Sequence, residues 1–188
     1  MVACAVALLC WAVWFLPDSW LAVLVYEREA IAAGEWWRLW TGHLTHYTLS
    51  QLIADSGLVA LLGLVVQRFI SPALLSLSIV IALPLMSLLL FWLLPELASY
   101  RGASGLAAML WLLAGLQMIL SARPGSTQFW LGVLFLMILA GKLIGEAFAL
   151  FPAFSDLPAG VVVVWQVHLF GTVIGCAVCL LSARGAKA

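Results

Sequence analysis

Six long apolar runs, the first five each closed by a polar or proline break, dominate the chain. They cover residues 2–16, 47–66, 72–94, 103–120, 128–151 and 160–181. The breaks are Pro17-Asp18-Ser19, Gln67-Arg68, Pro95-Glu96, Ser121-Ala122-Arg123-Pro124-Gly125 and Pro152. A membrane-spanning helix needs roughly 20 apolar residues, and most of the runs reach that length. The first is short, and the fourth is interrupted at its start by Gly and Ser. Lipid offers backbone groups no hydrogen-bond partner, so each run is predicted to be a helix. The pattern predicts an all-α integral membrane protein, a bundle of six transmembrane helices forming one domain over residues 1–188. No internal repeat or low-complexity tract breaks it.

Composition agrees with a bilayer as solvent. Hydrophobic residues make up 66% and charged residues 9%, against about 45–50% and about 25% in ordinary soluble domains. Ten Trp fit rings that favour the membrane–water interface. The formal net charge is zero, which gives nucleic acid no basic face to bind. The amino-terminal run lacks a positively charged n-region and a clear A-x-A site, so it reads as a first membrane helix rather than a signal peptide. The four cysteines, Cys4, Cys10, Cys176 and Cys179, all lie in apolar runs. The Cys176-x-x-Cys179 pair therefore reads as small hydrophobes in a helix, not a redox motif.

Charge sets the expected orientation. With six spans, both termini fall on the side of Arg68, Arg123, Arg184 and Lys187, which carries no acid. The other side receives Asp18, Glu27, Glu29, Glu35, Glu96 and Asp156, together with Arg28, Arg38 and Arg101. Lys/Arg excess marks the cytoplasmic side, so both termini are expected there. The longest loop, residues 17–46, then lies outside. Its Glu35-Trp36-Trp37-Arg38 reads as an interfacial segment, with Arg38 anchoring the loop through nearby carbonyls.

Polar residues inside membrane spans are costly and tend to be functional. The second run has His46 at its mouth, then Gln51 and Asp55. The fourth opens with Gly102-Ala103-Ser104-Gly105. The fifth carries Lys142 and Glu146, four apart on one face, and the sixth Gln166 and His168. A serine hydroxyl becomes a useful nucleophile when a base such as histidine takes its proton, which singles out Ser104 and His168. Starting the sixth span near Gly160 puts His168 about 12 Å along it. Gly105, Gly171 and Gly175 would let the two helices approach, the last two as the G-x-x-x-G pattern of packed membrane helices. Lys142 and Glu146 read first as a mutual ion pair, and more sharply as placing Lys142 against a substrate. His43 and His46 read as braces of the outer loop. His46 and His168 also raise a haem or quinone site, which the shallow position of His46 disfavours.

At these residues the chain resembles the rhomboid superfamily of intramembrane serine proteases. Trp37-Arg38 is similar to its W-R motif, Gly102-Ala103-Ser104-Gly105 to its G-x-S-G, and His168 to Gly175 to its H-x-x-G-x-x-x-G. The resemblance covers nearly the whole chain. It implies a serine endopeptidase that cleaves membrane-anchored protein substrates with a Ser104–His168 dyad, without a third carboxylate and without cofactor or metal. It also implies that Gln51, Asp55, Gly102 and the Ser104 N–H stabilise the oxyanion, with Lys142 and His46 as candidate substrate contacts. The family commonly has His and Asn where this chain has Gln51 and Asp55, and an aromatic ring where it has Ala108. The stretch from Gly34 to His46 and the Lys142-x-x-x-Glu146 spacing further resemble the rhombosortase subfamily. That would imply a bacterial inner-membrane enzyme, opening to the periplasmic side, that processes secreted proteins with C-terminal Gly-Gly-type anchors. A catalytically silent relative that binds or guides membrane proteins is the alternative reading.

Overall fold

The computed structural model describes residues 2–150 and 156–185. Helix α1 spans Val2–Trp14, and the long first loop follows as three short helices, α2 (Asp18–Leu24), α3 (Arg28–Ala32) and α4 (Arg38–Thr41), with a 3-10 turn at Gly42–Leu44. The long helices are α5 (Leu49–Val66), α6 (Pro72–Leu93), α7 (Ser104–Leu120), α8 (Thr127–Ala147) and α9 (Trp165–Gly185). Four of them, α5, α6, α8 and α9, are long and apolar enough to cross a membrane, while α1 and α7 are shorter apolar helices. The described chain is thus a helical protein whose long apolar helices fit a membrane-embedded fold. The only strands among the described residues are two-residue segments, β1 (Tyr26–Glu27) and β2 (Ser99–Tyr100), paired antiparallel.

Local chemistry sets the helix starts. Thr48, Ser71 and Ser126 each accept a backbone N–H of the first turn, from Gln51, Leu74 and Phe129, which satisfies donors a helix start leaves orphaned. Pro72 opens α6, where its missing N–H costs nothing. The end of α8 is a Schellman motif. The Leu150 N–H donates to the Gly145 carbonyl, the Ala149 N–H to Glu146, and Ala149 has φ 51°. The left-handed position usually goes to Gly. With Ala there, the sequence does not advertise the stop, and the helix ends at Ala147 rather than running on to Phe151. Phe151 and its expected stop Pro152 lie outside the described residues, as does Lys187.

The sixth run also differs from expectation. Residues 161–164 are non-helical, and α9 begins at Trp165. Gly160 has φ 83°, and the following Val161-Val162-Val163-Val164 is β-branched throughout, a type that is stiff at χ1 and favours extended backbone. His168 therefore sits in the first turn of α9, not 12 Å along a helix.

Helix α7 is the centre of the molecule. It packs on α5, α8 and α9, and nearly every residue from Gly105 to Gly115 is buried. Its closest neighbour is α9, and the contact runs over bare backbone. A Cβ on Gly171 would stand 2.0 Å from the Gly105 carbonyl oxygen, and one on Gly175 2.9 Å from that of Met109. Small residues are what permit such approach, as the G-x-x-x-G spacing predicts.

Candidate functional site

The start of α7 is held from two sides. On the side of the first loop, β1 pairs with β2, so Tyr26 faces Tyr100 and Glu27 faces Ser99. The Arg28 N–H donates to the Ala98 carbonyl, and the Gly102 N–H reaches the Gly42 carbonyl at 3.4 Å. Tyr100 is edge-on to both Tyr26 and His43, and its hydroxyl donates to the Gly102 carbonyl at 2.8 Å. Burial pushes the Tyr100 phenol above its ordinary pKa, opposed by the neighbouring Ser104 hydroxyl. Burial pushes His43 down to about 4, and its Nε2 lies 2.9 Å from both the Leu83 carbonyl and Ser87 Oγ. Arg38 anchors the loop as expected. Its Nη1 donates to the Ala22 and Val25 carbonyls at 2.9 and 2.7 Å, and its Nε to Glu35 at 2.6 Å.

The other side is α5. Gln51 Nε2 donates to the Arg101 carbonyl at 3.0 Å, and Gln51 Oε1 accepts from the Tyr47 N–H at 2.8 Å. Asp55 Oδ2 accepts from the Ala103 N–H at 2.9 Å. Between them lies Gly102, with φ 136°. A Cβ there would meet Gln51 Nε2 at 2.7 Å and Asp55 Oδ2 at 3.0 Å. Backbone conformation and space both call for glycine. The three residues named for oxyanion stabilisation thus come together, and two of them already grip the loop before Ser104, Asp55 as an acceptor. His46 Nε2 lies 3.3 Å from Asp55 Oδ2, too poorly aligned for a hydrogen bond. His46 is buried and is not among the residues lining the cavity described next.

A cavity of about 1280 Å³ lies between α5, α7, α8 and α9, and both Ser104 and His168 line it, with Gln51, Asp55, Lys142 and Glu146. The α7–α9 crossing explains why the first two share it. A Cβ on Gly105 would lie 2.8 Å from Val167 Cγ2 and 3.1 Å from the Val167 carbonyl. Ser104 precedes one member of this contact and His168 follows the other. Ala108 leaves open wall where a ring would intrude.

One relation departs from the expected dyad. His168 Nδ1 lies 2.6 Å from Glu146 Oε2, so a carboxylate does partner the histidine. Lys142 Nζ is 3.0 Å from the same Nδ1 and 2.5 Å from Glu146 Oε1. The Lys142–Glu146 ion pair read from their spacing is therefore present, and it closes on the ring. Glu146 and His168 are 22 positions apart, and no sequence pattern links them. Tyr100 was likewise not singled out, although an aromatic two residues before the G-x-S-G stretch marks its place. Among the described residues no group of three His, Cys, Asp or Glu side chains could hold a metal ion. No known family model matches the chain, and no curated protein matches it.

Proposed function

We propose that this protein is an intramembrane serine endopeptidase of the rhomboid type, with Ser104 as nucleophile and His168 as base. The observation that carries the reading is that both residues line one cavity, where two helices cross on glycine backbone. In the reaction, the Ser104 Oγ–H proton passes to His168 Nε2 as Oγ bonds to the scissile carbonyl carbon. The carbonyl π pair moves onto oxygen. The imidazolium then protonates the leaving amine as the C–N bond breaks, and water repeats the sequence on the acyl-enzyme. Ser104 is the first residue of α7, so its backbone N–H is among the donors a helix start leaves unpaired. Donors of that kind, aided by the helix dipole, favour charge that develops only in the transition state.

The substrate class in this reading is a membrane-anchored protein, cut near the outer face of a bacterial inner membrane. The six-span topology, with both termini cytoplasmic, belongs to the same proposal, as does the Gly-Gly type of anchor. One observation favours the silent alternative: Asp55 accepts from the Ala103 N–H where an amide donor would suit an oxyanion.

Labelling by a fluorophosphonate probe decides between them. Wild-type protein in detergent is expected to label, while Ser104→Ala and His168→Ala are not. Failure of the wild type to label, or equal labelling of all three, would sink the protease reading and leave the silent one.

A further inference from the structure

Three groups meet at one ring nitrogen. Glu146 Oε2 is 2.6 Å from His168 Nδ1 and Lys142 Nζ is 3.0 Å from it. A carboxylate can only accept, an ammonium can only donate, and a neutral imidazole nitrogen does one or the other. The two bonds to Nδ1 are therefore mutually exclusive. If Lys142 donated, Nε2 would carry the hydrogen and could take no proton. If Glu146 accepts, the hydrogen sits on Nδ1 and the lone pair on Nε2.

The distances choose. The contact to Glu146 is the shorter, and Lys142 already has an acceptor of opposite charge, Glu146 Oε1, at 2.5 Å. Lys142 and Glu146 lie one turn apart on α8, so the pair reaches α9 as a unit. It presents no net charge to the ring. Its cost inside a span is offset by these mutual contacts.

Resting on the serine-protease reading, we infer that Glu146 is a positioning residue that fixes His168 as the Nδ1–H tautomer, with Lys142 holding the carboxylate in place. The machinery is then a triad in function, with its third member supplied by α8. Lys142 acts through Glu146 and need not touch substrate.

The test uses the full chain in detergent and a fluorophosphonate probe, with Ser104→Ala as blank. Glu146→Gln offers Nδ1 an amide donor and so favours the wrong tautomer. Its maximal inactivation rate is expected to fall by up to about ten-thousandfold, the scale on which tautomer loss acts in serine proteases, with the probe's half-saturation unchanged. Glu146→Asp should recover part of the rate, and Lys142→Met should fall between wild type and Glu146→Gln. The ¹⁵N signals of histidine, assigned through His168→Ala, should report Nδ1–H in wild type and Nε2–H in Glu146→Gln. If Glu146→Gln unfolds, Glu146→Asp and Lys142→Met carry the comparison, together with the wild-type spectrum. A wild-type rate in Glu146→Gln, or an Nε2–H signal in the wild type, overturns the inference while Ser104-dependent labelling keeps the protease reading. A wild type that does not label overturns both.

Discussion

The residues that clasp the first loop have their own signature in solution. His43 is buried against Leu83, Ser87 and Tyr100, and burial holds it down to about 4. An unfolded histidine takes up its proton near pH 6.5. Between those values the unfolded chain binds more protons than the folded one, so stability is full above about 6.5 and falls as pH drops. The slope is up to ~1.4 kcal/mol per pH unit from this group. Thermal unfolding between pH 7 and 4.5 should show a fall that His43→Phe reduces; equal slopes would refute the assignment. At this scale the sequence made the polar residues of the cavity legible as candidates, because a polar side chain in an apolar run stands out. It was silent about pairing across helices. The spacing of Lys142 and Glu146 revealed their ion pair, but nothing in the spacing of Glu146 and His168 brings them to one ring nitrogen.

Among the elements, the α7–α9 crossing is the most demanding joint. A methyl group at Gly171 would need to occupy space 2.0 Å from a backbone oxygen, and backbone cannot swing aside as a flexible side chain can. Gly171→Ala is expected to destabilise by about 1–3 kcal/mol, the range for overpacking, and to abolish probe labelling by separating Ser104 from His168. Gly141→Ala is the control, since a Cβ there meets nothing within 4 Å and should leave unfolding nearly unchanged. Comparison of the two melting curves checks the claim. Helix positions were legible because apolar runs and their breaks are written along the chain. Helix ends were less so. The valines before Trp165 are as apolar as a helix needs yet non-helical in structure, and Ala149 ends α8 in a conformation that normally announces itself as glycine.

For the whole molecule, helix length bears on depth. At 1.5 Å per residue, α7 with 17 residues spans about 26 Å and α1 with 13 about 20 Å, both short of a hydrocarbon core of about 30 Å. In the six-span arrangement, Ser104 then lies below the outer interface, where water has to come to it. Reporters fused at either terminus, or after Arg123, should register as cytoplasmic, and one inserted after Glu96 as external. A terminus that reports as external would break that arrangement. The count of spans is not readable from composition alone, since a short apolar helix can be a span or a buried core helix. The pairing of Tyr26–Glu27 with Ser99–Tyr100 has a last consequence. It makes the first loop and the start of α7 one mechanical body. An antibody fragment or small molecule that prises the loop from that strand would loosen the seat of Ser104 from the loop side, without entering the cavity. On the proposed protease reading, inhibition by that route would leave probe-sized access unobstructed and act through the footing of Ser104 instead.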